Sequence, residues 1–415
     1  MLKSDPDSTA TKADLTTNED SKVTMNKAQA TTTNPSNIEE FIANMPDIIC
    51  MSHLRWDFVF QRPQHLLTRF AQHCNLYYFE EPYFQDGATP RYEVTTREGG
   101  NINIVVAHLP KGLTPQESDA QQIELLEQFI AAQNLNRYIL WYYTPMALEI
   151  TRHLQPELTV FDCMDELSAF KGAPPRLREL EAEIFKKADL VFTGGQSIYE
   201  LKKDQHPEVY AFPSSIDKAH FSQARQALPE PADQANIPHP RFGFYGVVDE
   251  RFDIELLRGA AALRPDWHFV IIGPVVKIDP AVLPKASNIH YLGGKNYKEL
   301  PVYLSGWDVA LLPFALNEST KFISPTKTPE YLAAGKPVVS TSIRDVVRPY
   351  GELGLVHIAD TPEDFVTAIE KALAQREDAD WQAKTNEFLA GISWDITWQN
   401  MVSLMQVSLA NKQNK

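Results

Sequence analysis

The sequence predicts an α/β protein with two domains, each built on a parallel sheet covered by helices on both faces. Three observations lead there. Two successive series of short apolar runs alternate with segments of helical apolar spacing. A Pro-rich acidic stretch divides the two series. The 415 residues suit two domains of about 100 to 200 residues each. Strand–helix alternation implies parallel sheets, so each half reads as a Rossmann-like domain, and the two would face each other across a cleft.

The elements follow in order. Residues 1–45 are dominated by Ser, Thr, Asp, Asn, Lys and Ala, with little to bury, and read as a disordered tail in which Met25 could be a true start. The first domain spans 46–227, with apolar runs at 48–51, 76–79, 102–107, 138–142, 158–161, 190–193 and 209–212 as buried strands. Segments 62–72, 121–133 and 176–188 repeat apolar residues every three or four positions and read as helices. The stretch 228–240, LPEPADQANIPHP, reads as an extended linker. In the second domain, 241–392, strands are expected at 241–247, 268–272, 289–292, 309–312, 337–340 and 355–358, with helices near 253–263, 298–305, 329–334 and 362–375. The segment 393–415, with Trp394, Trp398, Met401 and Met405, reads as a terminal helix crossing both domains and a short tail.

Composition narrows the function. Hydrophobic residues make up 43% and charged residues 22%, the balance of a water-soluble globular chain. A net charge of −15 without basic runs argues against nucleic acid as a partner. Cys50, Cys74 and Cys163 form no Cys-x-x-Cys pair, so neither a disulfide framework nor a zinc ribbon is expected. With no apolar run long enough to span a bilayer and no signal peptide at its start, the chain is expected in the cytoplasm.

The segment 317–340, NESTKFISPTKTPEYLAAGKPVVS, is the most informative. A polar loop follows a strand, Pro329 stands in a likely first helical turn, and Gly335 stops the short helix before another strand. Backbone N–H groups at such an entrance suit a phosphate, Lys327 adds a charge, and Glu330 can accept two hydrogen bonds from a ribose diol. The plainer alternative makes Glu330 a dipole-complementing acid and Lys327 a solvated cation. In the first half, Val160-Phe-Asp-Cys-Met-Asp-Glu166 puts Asp162, Asp165 and Glu166 after a strand, where they could bind sugar hydroxyls or act as a base, or else cap a helix. The spacing between the two aspartates, 165 − 162 = 3, does not match Asp-x-Asp, so no metal site is expected. Segment 52–67, SHLRWDFVFQRPQHLL, follows the first strand, where open sheets place ligands. There Trp56, Phe58 and Phe60 could be core, whereas Arg62 and His65 are candidates for substrate contact, with His53 beside them.

Glu330-Tyr-Leu-Ala-Ala-Gly-Lys-Pro-Val-Val339 resembles the nucleotide-binding motif of retaining glycosyltransferases of the two-domain GT-B architecture, group 1 or family 4-like. Other segments resemble that family in the expected order over roughly residues 46–408: Pro213-Ser-Ser-Ile-Asp-Lys-Ala-His-Phe221, Phe242-Gly-Phe-Tyr-Gly246 with its loop to Asp253, Val270-Ile-Ile-Gly-Pro274, and Ile289-His-Tyr-Leu-Gly-Gly-Lys-Asn-Tyr-Lys-Glu-Leu-Pro301, similar to the strand whose following loop surrounds the nucleobase. The resemblance implies a donor site of Gly246, Arg251, Gly273, Lys295, Ser324, Lys327 and Glu330. It implies an acceptor side of His53, Trp56 and Arg62, with Asp162, Asp165, Glu166 and His65 as catalytic candidates. It further implies a nucleotide-diphosphate sugar as co-substrate with no other cofactor, a sugar or lipid-linked acceptor, a role in polysaccharide synthesis, and peripheral contact with the inner membrane face. The sequence departs from the pattern at Phe322, where the first of two family glutamates would stand, and at Ser214 and Ser215, where Asn and Gly are usual. An epimerase or a non-catalytic scaffold on the same fold are the alternatives.

Overall fold

The computed structural model describes residues 35–97 and 99–414. Among them the strands form two sheets, of eight and six strands. The first contains β1 (Asp47–Met51), β2 (Leu76–Gln85), β3 (Arg91–Thr96), β4 (Ile102–Pro110), β5 (Tyr138–Tyr142), β6 (Leu158–Cys163), β7 (Leu190–Thr193) and β8 (Val209–Ala211), ordered β3-β4-β2-β1-β5-β6-β7-β8. All neighbours are parallel except β3, which runs antiparallel to β4 at the edge. The second contains β9 (Arg241–Tyr245), β10 (His268–Ile272), β11 (Ile289–Gly293), β12 (Val309–Leu312), β13 (Val338–Ser340) and β14 (Val356–Ile358), parallel throughout, ordered β11-β10-β9-β12-β13-β14.

Why these runs form central strands is visible in their burial. Every residue of β5, β6, β7, β9 and β12 is buried, as a sheet covered on both faces requires. Successive residues feed opposite faces: Ile48 and Cys50 join one core of the first domain, Ile49 and Met51 the other. Strand order reverses between β1 and β5 and between β9 and β12. Open α/β sheets bind ligands outside the strand ends at such switch points.

Four expectations are corrected. Residues 35–43 form a helix, Pro35–Ala43, with Ile38, Phe41 and Ile42 packed on the first core and Met45 buried; residues 1–34 of the expected tail, Met25 included, lie outside the described residues. The stretch 228–240 is packed structure rather than an extended linker. Gln234 is fully buried, donating to the Tyr303 carbonyl at 3.0 Å and accepting from Trp307 Nε1 at 2.9 Å, and Ile237 joins the second core. A buried amide with both ends satisfied costs little, which is how a polar stretch becomes interior. Ile216, Phe221 and Ala224 already pack in the second core, so the chain crosses between domains near 213–215 rather than after 227. The last helix, Trp394–Gln413, returns to the first domain, where Trp394, Met401, Val402, Leu404 and Met405 all join the core; it touches the second domain where Trp394 N–H donates to the Ile216 carbonyl at 3.3 Å.

Candidate active site in the interdomain cleft

At the β9–β12 switch point, Tyr245 ends β9 and its hydroxyl donates to the Glu330 carboxylate. Glu330 lies in the helix Lys327–Ala333, 4% exposed, and burial pushes its pKa up to about 7. Lys327 opens that helix, and burial pulls its ammonium below the ordinary lysine range, with Glu330 acting in the opposite sense. Gly246 makes room for it: a Cβ there, at φ +147°, would stand 2.3 Å from Lys327 Cε. At Gly273 a Cβ would meet the Gly246 carbonyl oxygen at 1.8 Å, so these two turns tolerate only glycine. The Thr328 hydroxyl and the Tyr297 hydroxyl are buried without a partner near this set.

The loops after β9 and β10 run side by side. Val248 bridges Val275 in parallel, with Val248 N–H donating to the Pro274 carbonyl at 2.9 Å and Val276 N–H to the Val248 carbonyl at 3.1 Å. Arg251 emerges from the first loop, held by Asp249 at 3.0 and 2.7 Å, and Lys277 from the second. Both cations approach the ring of Phe170, which belongs to the other domain, at 5.7 and 5.6 Å from its centroid. Facing them from the first domain are Asp165 and His53. Burial raises the Asp165 pKa while Arg251, Arg62 and Lys277 act against it. Burial lowers His53 to about 4, keeping its ring neutral, and its Nδ1 lacks a hydrogen-bond partner.

The domains are seamed beside this cleft. Asp345 accepts from Ser197 N–H at 3.0 Å, Arg344 pairs with Glu200, Ser214 Oγ donates to the Ser324 carbonyl at 2.6 Å, and Ser319 Oγ donates to the Ala169 carbonyl at 3.3 Å. Phe60 of the first domain stacks on Tyr297 of the second, with centroids 4.5 Å apart.

The structure therefore brings together Gly246, Arg251, Gly273, Lys327 and Glu330 across from Asp165 and His53. It places the other predicted residues elsewhere. Asp162 is fully buried inside β6, binding Arg62 at 2.8 to 3.1 Å, while Arg62 Nη1 donates to the Phe212 carbonyl at 2.7 Å. That pair braces the first domain beneath the crossing point, and neither residue is open to substrate. Glu166 is buried against Lys202 at 2.7 Å. His65 is buried flat on Trp394, centroids 4.7 Å apart, and burial drives its pKa to about 3, too low for a general base near neutrality. Trp56 is core, edge-on to Tyr78. Lys295 pairs with Asp233 at 2.6 Å, and Ser324 serves the interdomain seam. Sequence reasoning missed Lys277, Tyr245 and Tyr297. Tyr245 carried a signal, since it ends the apolar strand before Gly246, and so did Tyr297, which lies in the family-like segment 289–301; Lys277 carried none.

Residues 239–375, covering this donor-side set, match the family model described as Glycosyl transferases group 1. The chain carries a group 1 glycosyltransferase domain and is a glycosyltransferase. It is similar to a Bacillus subtilis (strain 168) chain, TuaH, named for a glycosyltransferase of teichuronic acid biosynthesis, being 25% identical over 289 residues that cover 66% of this chain and 72% of that one. Among solved structures it is similar to sucrose-phosphate synthase of Thermosynechococcus elongatus, with TM-score 0.63 and 15% identity over 88% of this chain and 100% of the other. A trehalose-6-phosphate structure from E. coli aligns with TM-score 0.62 and 14% identity, over 87% of this chain and 99% of the other. At such identities these likenesses show the fold, which is GT-B.

Proposed function

We propose that this glycosyltransferase moves a sugar from a nucleoside diphosphate sugar to a hydroxyl acceptor, with retention at the anomeric carbon and without a metal or other cofactor, in polysaccharide synthesis. The observation that carries the reading is the juxtaposition across one cleft of Lys327, Arg251 and Glu330 from the second domain with Asp165 from the first. Glu330 would accept from the ribose hydroxyls, and Lys327 and Arg251 would hold the diphosphate. As the bond to the sugar breaks, charge grows on the leaving phosphate, and cations fixed in place beforehand stabilise it. Asp165 lies within electrostatic reach of Arg251, so a diphosphate held by Arg251 would depart on the side that Asp165 occupies. A base there would deprotonate an acceptor attacking from that same face, which is the geometry of retention.

The relatives support the substrate class. One neighbour is bound with UDP-2-fluoro glucose, another is in complex with glucose-6-phosphate, and TuaH is named for polymer synthesis. Among the described residues no helix is long and apolar enough to cross a membrane, so a lipid-linked acceptor would be met peripherally, beside the exposed Phe58 and Phe60. The test is incubation with a panel of nucleoside diphosphate sugars, following nucleotide release and product anomeric configuration by NMR, with and without EDTA. Stabilisation and turnover by one donor, unchanged by EDTA and with the donor's anomeric configuration kept, is the expected result. Inversion, or loss of turnover in EDTA, would overturn those parts of the reading. Binding without turnover would instead favour the scaffold that the glutamate-to-phenylalanine departure at Phe322 suggests.

A further inference from the structure

Lys277, like Arg251, belongs to the donor-side domain yet faces acceptor-side groups, and unlike Arg251 its charge also reaches His53. Its ammonium stands 5.6 Å from the Phe170 centroid, and its charge acts on Asp165 and His53, all three from the first domain. Among the described residues no carboxylate lies within ion-pair distance of it, whereas Arg251 is held by Asp249; Lys327, likewise without an ion pair, is buried on the donor side near Glu330. Its placement is built rather than incidental. The paired loops after β9 and β10 fix its position next to Arg251, and its backbone is left-handed, at φ +63°. A residue with a Cβ held in that region carries a conformational cost, and such positions cluster at ligand sites. In a chain of net charge −15, an unpaired cation held in a cleft is a local exception.

We propose that Lys277 completes the acceptor side of the cleft and binds a phosphate or carboxylate group carried by the acceptor, so that the acceptor is an anionic sugar. The inference rests on the glycosyl-transfer reading above, because it takes the first-domain side of the cleft as the acceptor side. The cations then divide by position: Lys327 and Arg251 serve the leaving diphosphate, and Lys277 serves the incoming molecule. A nucleoside diphosphate bound first would leave Lys277 free.

Calorimetry on the full chain tests this. UDP is titrated first; then, with UDP saturating, glucose 6-phosphate, glucuronate and glucose are titrated in turn. The wild type is expected to favour one of the anionic sugars over glucose by at least about tenfold, the size of one charge-assisted hydrogen bond. Lys277→Met should abolish that preference while UDP affinity stays within about twofold, and Lys277→Arg should keep it. Because Lys277 is exposed, these variants should fold. Equal binding of glucose and the anions by the wild type, or a preference surviving in Lys277→Met, overturns the proposal. A matching loss of UDP affinity would overturn it too, by assigning Lys277 to the donor diphosphate. Failure of the wild type to bind UDP or any other nucleoside diphosphate counts against the glycosyl-transfer reading instead. The sugar titrations, run without nucleotide, would still report on Lys277.

Discussion

Glu330→Gln should weaken nucleotide binding and stabilise the protein in a pH-dependent way. The carboxyl is buried and ionises near 7 in the folded chain, against 4.5 for an ordinary glutamate. Below about pH 4.5 it is protonated in both states and contributes nothing. Between 4.5 and 7 the unfolded chain ionises first, so stability falls as pH rises. Above 7 the full penalty applies, about 3 kcal/mol at 1.36 kcal/mol per pH unit of separation. Glutamine keeps an acceptor for the Tyr245 hydroxyl but never ionises. The stability difference between Glu330→Gln and wild type should therefore grow by about 2 to 3 kcal/mol between pH 5 and pH 8. That is an upper figure, since Lys327 loses the charge of Glu330. Chemical denaturation at the two pH values measures it, and calorimetry with UDP should show affinity reduced about ten- to a hundredfold. A difference that stays constant with pH would refute the claim that the carboxylate is held at a cost. Unchanged UDP affinity would return Glu330 to a purely structural role.

Asp165→Asn should lower the transfer rate by about a hundredfold or more while UDP affinity stays within about twofold, as expected of an acceptor-side base; a parallel loss of both would undo the two-sided assignment. Arg62→Met alone should destabilise the chain by about 3 to 5 kcal/mol, because Asp162 would be left buried and unpaired, and Arg62→Met with Asp162→Leu should recover most of that; denaturant midpoints decide. A chain starting at residue 46 should melt below one starting at residue 35, since the helix Pro35–Ala43 and Met45 pack on the first core. Matching melting temperatures would show that the docking contributes nothing.

The strands were legible because each central one is a short, mainly apolar run whose residues are all buried, as a parallel sheet covered on both faces requires. The three acids at the end of β6 and just beyond it were harder to separate. Asp162, Asp165 and Glu166 look alike as a string, yet Asp162 lies inside the strand with Val160, Phe161 and Cys163, where a charge must find a buried partner. Its partner, Arg62, is 100 positions away, beyond any local pattern. His65 faced the same difficulty, since the tryptophan it stacks on, Trp394, comes from the returning helix at the other end of the chain. Glu330 and Lys327 were readable because loop, proline, helix and stop occur together within a few residues. Lys277 gave no such signal, its significance arising only when two loops from different strands run side by side.

Phe322 shows how the same loop can serve closure. The resemblance places a donor-binding glutamate there, but its ring packs against the first domain's core, alongside Tyr199, while Ser319 and Ser324 on either side bond to Ala169 and Ser214. Glu318, the nearest carboxylate upstream, is exposed and approaches only Lys321, at 4.0 Å. The loop after β12 therefore reaches across the cleft instead of lining the donor pocket with a carboxylate. On the proposed reading, contacts to the sugar ring would then come from the facing domain, where Asp165 and His53 stand. Those residues meet Arg251 and Lys277 only when the domains are together, because Phe170, touched by both cations, belongs to the first domain. A carboxylate at position 322, half-buried with Lys321 5.4 Å from the present ring, would give up the apolar packing of Phe322 on the first domain's core and so favour the separated domains. An aromatic residue at 322 thus favours the closed cleft in which donor-side and acceptor-side groups face each other.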